Sequence, residues 1–260
     1  MDIIEHRDQV AGIDSFWRKA GEAPILYVHG NPNNSDVWLP FLERTGGVAM
    51  DLPGFGRSAK PAHFDYSIGG YAKWLEAFRA HLGWESYRML VHDWGGVGLA
   101  MAQREPQRVE RLAVVNCVPF LPGYKWHRFA RIWRTPVVGE LFQGSTTKWA
   151  LRRFLPGMPD DFIDSIWDHY DHGTQRAVLK LYRSAPPAVL ARAGERLGEI
   201  EAPALVLWGA DDQYIPARFA HAYGEALGGE PEVEVVEGAS HWPWIDKPEL
   251  LDRLAGFLAR

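Results

Sequence analysis

Short apolar runs alternate with helical patterns along most of this chain, and this rhythm restricts the fold more than any other feature. Six runs, rich in β-branched or aromatic residues, are typical of buried strands: residues 25–29, 47–51, 87–92, 111–116, 204–208 and 233–236. Four stretches have helical patterns: residues 71–82, 95–105, 217–227 and 248–258. The alternation predicts an α/β fold with a mostly parallel sheet and helices on both faces. Two segments before Gly21 are expected to form a hairpin that extends the sheet antiparallel.

The alternation is interrupted between residues 118 and 201. This stretch is helical in pattern, dense in Trp, Arg and Pro, and lacks a convincing strand, whereas the alternation resumes at Ala204. An insertion after one strand of such a sheet lies over the carboxyl ends of the strands, where ligands bind. We therefore predict a core domain of residues 1–117 and 202–260 and a helical cap of residues 118–201, inserted after the strand that ends near Asn116.

One predicted strand runs directly into a helix through a turn of small residues around a single acidic one. The turn is His92-Asp93-Trp94-Gly95-Gly96, with Asp93 at the position of serine in the pattern G-x-S-x-G. Such a turn holds its central side chain clear of the sheet, at a helix N-terminus that stabilises negative charge. A carboxylate attacks sp3 carbon bearing a leaving group more readily than acyl carbon. Asp93 is the candidate nucleophile, and its alternative role is to cap the helix.

Two groups of donors are expected beside Asp93. The first clear strand ends in a His-Gly-Asn-Pro turn that contains Asn31. A backbone N–H of this turn and the N–H of Trp94 would together form an oxyanion hole. The Asn31 amide and the Trp94 indole are also neutral donors, which suits the binding of a departing halide. The alternative for Asn31 is a turn residue without a chemical role.

Two motifs near the C-terminus supply a candidate acid and base. Asp211 and Asp212 follow a buried strand, and His241 lies in the loop after the next strand. The chain order nucleophile, acid, base is the order of this kind of site. His241 would activate water, and Asp212 would orient and stabilise the imidazole ring. Asp211 is the rival of Asp212, which is favoured because it is the third residue after the glycine that ends the strand.

Together, these motifs resemble those of the α/β-hydrolase superfamily, and within it those of the haloalkane dehalogenases and epoxide hydrolases. The resemblance covers nearly the whole chain outside the predicted cap. The turn with Asn31, followed by Trp38, resembles the dehalogenase pattern, in which the Asn side chain and the Trp after the nucleophile hold halide. The resemblance therefore implies an α/β-hydrolase fold and cleavage of a carbon–halogen bond through an alkyl ester of Asp93.

Epoxide hydrolysis with the same three residues is the alternative. Epoxide hydrolases use two cap tyrosines to protonate the opening oxygen, and the segment around Tyr182 resembles the one that carries one of them. The second tyrosine is replaced by Leu141, unless Tyr124 or Tyr170 takes its role. Further alternatives on the same fold are a luciferase-like oxygenase and a non-catalytic ligand receptor.

Composition excludes several other classes of protein. The 260 residues carry a net charge of −5, which leaves no basic surface for nucleic acid or a membrane. The single cysteine, Cys117, rules out an intramolecular disulfide, and the absence of a membrane span or a signal peptide indicates a cytoplasmic protein. No metal-ligand cluster or phosphate-binding loop is present, so we expect no metal and no cofactor. The expected partners are a small apolar substrate, a haloalkane or an epoxide, and water, and the expected state is a monomer or small homo-oligomer.

Overall fold

Eight strands form one sheet in the computed structural model, which describes residues 1–260. They are β1 (Ile3–Val10), β2 (Ile13–Ala20), β3 (Ile25–Val28), β4 (Gly47–Met50), β5 (Tyr87–Asp93), β6 (Val109–Cys117), β7 (Ala204–Gly209) and β8 (Glu232–Val236). Their order across the sheet is β1-β2-β4-β3-β5-β6-β7-β8. The first two strands pair antiparallel with each other, β2 pairs antiparallel with β4, and all other pairs are parallel. The predicted parallel sheet and N-terminal hairpin are both confirmed.

Twelve helices accompany the sheet. They are α1 (Leu39–Thr45), α2 (Ile68–His81), α3 (Val97–Ala102), α4 (Arg128–Arg134), α5 (Val138–Gly144), α6 (Lys148–Phe154), α7 (Asp160–Trp167), α8 (His172–Ser184), α9 (Pro187–Ala193), α10 (Arg218–Ala226), α11 (Pro243–Asp246) and α12 (Glu249–Ala259). Sequence periodicity missed α1, because seven residues make too few turns for a 3.6-residue repeat to emerge. None of the helices combines the length and the apolar character that crossing a bilayer requires.

Helices cover both faces of the sheet, as the strand sequences predict. Along β5, Met89 and Val91 belong to one large apolar cluster, whereas Leu90 between them belongs to a second cluster on the opposite face. Side chains alternate across a strand, so a strand buried on both sides must be apolar at nearly every position. This double burial fixes the carboxyl end of β5, and with it Asp93, in a rigid frame.

The chain between β6 and β7 contributes only helices, α4 to α9. The long helix α8 anchors this segment to the sheet-bearing part of the molecule, because Lys180 donates a hydrogen bond to the Ala62 carbonyl and Arg176 donates one to the Lys60 carbonyl. Helix α8 is therefore attached to the loop that follows β4, at the end of the sheet where the parallel strands finish.

Candidate active site

The turn between β5 and α3 holds Asp93 in a strained backbone conformation. Its φ of 51° and ψ of −122° lie in a region that residues other than glycine rarely adopt. The Val118 N–H donates a 3.0 Å hydrogen bond to the Asp93 carbonyl and stabilises the turn. Small residues are needed because a Cβ atom on Gly95 would lie 2.0 Å from the Val28 carbonyl oxygen. The sequence pattern around Asp93 thus corresponds to a sharp turn that projects this side chain beyond the end of the sheet.

The two carboxylate oxygens of Asp93 have different surroundings. Oδ1 accepts a 2.7 Å hydrogen bond from the backbone N–H of Asn31, and Oδ2 lies 3.5 Å from Nε2 of His241. Gly30 permits this close approach, since a Cβ atom there would lie 2.3 Å from Oδ1. One oxygen is therefore held by a backbone donor, while the other faces the imidazole ring.

His241 and Asp212 form a tight buried pair. Nδ1 of His241 donates to Oδ2 of Asp212 over 2.7 Å, and Oδ1 of Asp212 accepts the backbone N–H groups of Tyr214 and Ile215. The rival Asp211 is exposed. Of the two neighbouring carboxylates, Asp212 is thus the one that contacts the imidazole.

The charges of this cluster alter its protonation. Burial alone would lower the pKa of His241, but Asp212 and Asp93 together raise that pKa to about 10. Burial would likewise raise the pKa of Asp212, but the imidazole and the surrounding donors hold it below its ordinary value. The two carboxyl groups therefore favour the protonated form of the His241 ring.

Two buried residues that the sequence did not single out support the pair. Nδ2 of Asn116 donates a 2.7 Å hydrogen bond to Oδ2 of Asp212, while Oδ1 of Asn116 accepts the N–H of Gly209. Nε2 of His92 contacts the carbonyl of His241 at 2.8 Å, and burial lowers the pKa of His92 to about 3, so its neutral ring donates this bond. The available signal was a polar residue directly after a run of apolar residues in each of the two strands, Met89–Val91 in β5 and Leu112–Val115 in β6.

The sequence predicted two neutral donors near Asp93, Asn31 and Trp94, and one possible cap acid, Tyr182; the structure places the three side chains next to one another in different ways. Asn31 Nδ2 donates to the Tyr182 hydroxyl over 3.4 Å. The ring of Trp94 packs edge-on against Tyr182 and stacks on Trp126, and its Nε1 is buried without a partner. Burial and the charge of Asp93 raise the pKa of Tyr182, so its hydroxyl stays protonated. Tyr182 and Asn31 line the cavity above Asp93, whereas Trp94 lies behind Tyr182.

An aromatic-walled cavity of about 70 Å³ covers Asp93 and His241. Most of its wall comes from the helices and loops between β6 and β7: His127, Phe129, Trp133, Phe142, Thr146, Leu151, Phe154, Leu155, Tyr170 and Tyr182. Tyr170 donates its hydroxyl proton to the Gln143 side chain, and Tyr124 lies outside the wall, packed against Trp126. Neither tyrosine therefore occupies a position equivalent to that of Tyr182. No group of three or more His, Cys, Asp or Glu side chains is arranged to hold a metal ion.

Comparisons with known proteins agree with this architecture. A family model described as the alpha/beta hydrolase fold matches residues 23–248. The chain is 32% identical to a haloalkane dehalogenase of Mycolicibacterium paratuberculosis, in a match that covers 89% of this chain and 82% of that protein. A crystal structure of a haloalkane dehalogenase from Bradyrhizobium elkani is 27% identical, with a TM-score of 0.85 over 99% of this chain and 98% of that one. An epoxide hydrolase solved without ligand has a TM-score of 0.83 over 99% of each chain, and at 21% identity this likeness concerns the fold.

Proposed function

The chain belongs to the α/β-hydrolase superfamily, in its haloalkane dehalogenase and epoxide hydrolase group, and on this premise we propose that it cleaves carbon–halogen bonds through an alkyl ester of Asp93. The observation that carries the proposal is the unequal setting of the Asp93 carboxylate. Oδ1 is bonded to the Asn31 N–H, and Oδ2 faces the cavity and His241. Such a carboxylate is oriented to attack with one oxygen while the other stays bonded.

In the first step, Asp93 Oδ2 attacks the halogen-bearing carbon from the side opposite the halogen. A carbon–oxygen bond forms, the carbon–halogen bond breaks, and the halide leaves with the electron pair. The Asn31 amide and the Tyr182 hydroxyl are neutral donors on the cavity wall, and the unpartnered Trp94 Nε1 lies next to them. The Asn31 amide and the Tyr182 hydroxyl can stabilise the halide without giving up a proton, and Trp94 supports them by packing against the Tyr182 ring.

In the second step, water attacks the ester carbonyl carbon of Asp93. Ester formation removes the negative charge that helps to keep His241 protonated, so the pKa of His241 falls. The imidazolium then releases its proton to the solvent, and the freed Nε2 can act as a base. His241 takes a proton from the water, Asp212 stabilises the imidazolium that forms, and the Asn31 N–H bonds the developing oxyanion at Oδ1. The intermediate collapses by breaking the bond between the carbonyl carbon and the alkoxy oxygen. The remaining hydroxyl proton passes to the leaving oxygen, so the alcohol is released and the carboxylate is restored. We assign the roles of nucleophile, base and acid to Asp93, His241 and Asp212 on this basis.

Residues 118–201 are proposed to form the cap over residues 1–117 and 202–260. The helices of this segment contribute most of the apolar wall of the cavity. An apolar wall lowers the local dielectric around Asp93, which strengthens the electrostatic interactions at the reacting carbon. It also selects small apolar substrates.

Epoxide hydrolysis is the second candidate, and the position of Tyr182 favours it. Its hydroxyl lies beside the Asn31 side chain and stays protonated, so it could deliver a proton to the oxygen of an opening epoxide. Asp93, His241 and Asp212 would keep the same roles. The two reactions differ in the leaving atom, because an alkoxide needs a proton and a halide does not.

A paired assay of the purified protein tests both candidates. We expect bromide release from 1-bromobutane and 1,2-dibromoethane, whereas diol formation from styrene oxide alone would transfer the proposal to epoxide hydrolysis. Tyr182→Phe should reduce bromide release by about 2- to 12-fold, the value of one neutral hydrogen bond. The same change should reduce epoxide opening by about 100-fold or more if Tyr182 is its general acid. Asn31→Ala should have the opposite effect and reduce bromide release more than it reduces epoxide opening.

The ester intermediate gives an independent test. In His241→Gln, Asp93 should be alkylated but not regenerated, so incubation with 1-bromobutane should add one butyl group to the peptide that contains Asp93. Asp93→Ala, treated in the same way, is the control and should abolish both this modification and turnover. An unmodified peptide in a folded His241→Gln protein would refute the ester mechanism.

A further inference from the structure

The polar side chains of the cavity wall differ in whether their protons are already used. Tyr170 donates to the Gln143 side chain, Tyr214 donates to the Phe154 carbonyl over 2.6 Å, and Thr146 donates to the Phe142 carbonyl over 3.0 Å. These three hydroxyl groups therefore have no free proton to offer a ligand. The donors beside Asp93 are already part of the proposed reaction.

His127 retains a free donor. It is the N-cap residue of α4, and its Nδ1 accepts the Ala130 N–H over 3.4 Å. An imidazole nitrogen that accepts a hydrogen bond carries no proton, so in the neutral ring the proton lies on Nε2. Nε2 donates to no protein atom. Burial lowers the pKa of His127 to about 4, so the ring is neutral at physiological pH.

Trp133 adds a second donor to the same part of the wall. The ring centroids of His127 and Trp133 lie 6.1 Å apart, and both residues line the cavity. The indole Nε1 of Trp133 is buried without a hydrogen-bond partner. An indole only donates, and so does an imidazole whose other nitrogen is already bonded. Unpaired donors of this kind are costly to bury unless an acceptor forms a hydrogen bond with them.

We propose that His127 and Trp133 form a distal subsite that binds an uncharged hydrogen-bond acceptor of the substrate, such as an ether or carbonyl oxygen. This inference rests on the proposed function and narrows its substrate class. The preferred substrate has a leaving group at one end of a short chain and an acceptor oxygen further along it. A neutral donor pair in an apolar wall does not compensate the desolvation of a carboxylate, so charged acceptors are disfavoured.

The location of the subsite limits the distance between the two ends of the substrate. The His127 ring lies 5.3 Å from the ring of Tyr214, which lies 5.1 Å from the ring of His241. His127 is thus separated from the base by one aromatic ring. An acceptor oxygen should therefore be effective at one position along the chain and ineffective closer to the reacting carbon.

The test compares bromides of equal length that differ in one atom. We would measure kcat/KM for bromide release from 1-bromohexane, 1-bromo-4-methoxybutane, 1-bromo-3-ethoxypropane and 1-bromo-2-propoxyethane. One ether isomer should exceed 1-bromohexane by about 2- to 12-fold, the range of one neutral hydrogen bond. In His127→Ser this ratio should fall to about one. Serine is a good N-cap residue, so the variant keeps the cap of α4 and removes the imidazole ring together with its N–H.

Two controls separate recognition from helix capping. His127→Ala removes both the cap and the donor, and it should lose the ether preference to the same extent as His127→Ser. Thr147→Ala removes the cap of the neighbouring helix α6, whose Thr147 side chain accepts from Ala150, and it should keep the preference. Retention of the preference in His127→Ser, or equal rates for all three ethers in the wild type, would overturn the subsite.

Failure of the proposed function would look different. A wild-type protein that releases no bromide from any of the four compounds refutes dehalogenation. The subsite is then tested by the binding of hexan-1-ol and of the three ether alcohols of equal length, 4-methoxybutan-1-ol, 3-ethoxypropan-1-ol and 2-propoxyethanol, measured by tryptophan fluorescence. Tighter binding of one ether alcohol than of hexan-1-ol in the wild type, lost in His127→Ser, supports the subsite without turnover. Equal dissociation constants for all four alcohols refute it.

Discussion

Replacing Asp93 with Asn keeps the shape of the side chain and removes its charge, and this isolates the effect of the carboxylate on His241. Nε2 of His241 lies 3.5 Å from Asp93 Oδ2, and the pKa of the imidazole is raised to about 10. Opposite charges about 4 Å apart attract by about 4 kcal/mol at an effective dielectric constant near 20. This energy corresponds to a pKa shift of about 3 units, which is the upper limit for the effect of Asp93. Carboxylates at such distances shift neighbouring groups by about 1 to 3 units. We therefore expect the titration midpoint of His241 to fall by about 1 to 3 pH units in Asp93→Asn.

The assay is an NMR titration of histidine side chains in uniformly labelled protein. The spectrum of His241→Gln identifies the signal of His241 among the ten histidines. Asp211→Asn is the matched control, because Asp211 is exposed and its neighbour Asp212 provides the carboxylate that contacts the ring. This control should leave the midpoint unchanged.

The outcome bears directly on the chemistry, because alkylation of Asp93 removes the same charge as the Asn substitution. If the midpoint falls, ester formation itself converts the resting imidazolium into a base, and the second step is activated by completion of the first. If the midpoint of Asp93→Asn equals that of the wild type, the charge of Asp93 does not hold the proton. The coupling between the two steps would then be refuted.

Three further predictions follow from the same geometry. Folding raises the pKa of His241 from 6.5 to about 10, so protonation of His241 stabilises the folded protein. This stabilisation is complete below about pH 6.5 and is lost as the pH rises through about 10. The free energy of urea unfolding, measured across this pH range, should fall more for the wild type than for His241→Gln, and the same pH dependence in both proteins would contradict the prediction. Asn116→Ala removes a donor from Asp212 and should lower the free energy of unfolding by about 1 to 3 kcal/mol together with kcat; wild-type values in both measurements would rule out a positioning role. Gly30→Ala places a Cβ atom 2.3 Å from the Asp93 carboxylate, the proposed nucleophile, and should abolish ester formation detected by mass spectrometry. Gly144→Ala, with no atom within 4 Å, should retain it, and an active Gly30→Ala would disprove the tight approach.

The sequence predicted those features that depend on local rules. Apolar runs between helical patterns are sufficient to indicate a parallel sheet, because strands that are buried on both faces occur mostly in parallel sheets covered by helices. The turn at Asp93 requires a glycine at position 95, where any side chain would collide with the Val28 carbonyl. A pattern of this kind is readable because the constraint and the residues that satisfy it lie within a few positions.

The contacts that position His241, the proposed base, could not be predicted from the sequence in this way. Asn116 meets Asp212 because β6 and β7 are neighbours in the sheet, with Val115 paired with Leu207. The two residues are 96 positions apart in the chain. A polar residue at a strand end indicates only that some partner must exist, because a buried amide without one is costly. The identity of the partner depends on strand order.

The choice between the two candidate reactions likewise depends on contacts between residues that are distant in the chain. The donors on strands and turns of the core, Asn31 and Trp94, indicate a halide, whereas Tyr182 on the inserted helix α8 indicates an epoxide oxygen. In the folded chain the Tyr182 hydroxyl accepts the Asn31 amide and its ring packs against Trp94, so the three donors form one unit. A protonated phenol can donate a hydrogen bond to a halide or transfer its proton to an alkoxide. The leaving group that this site stabilises therefore depends on how α8 packs on the core. The motifs with Asn31 and Trp94 and the segment with Tyr182 each supply only one side of that contact.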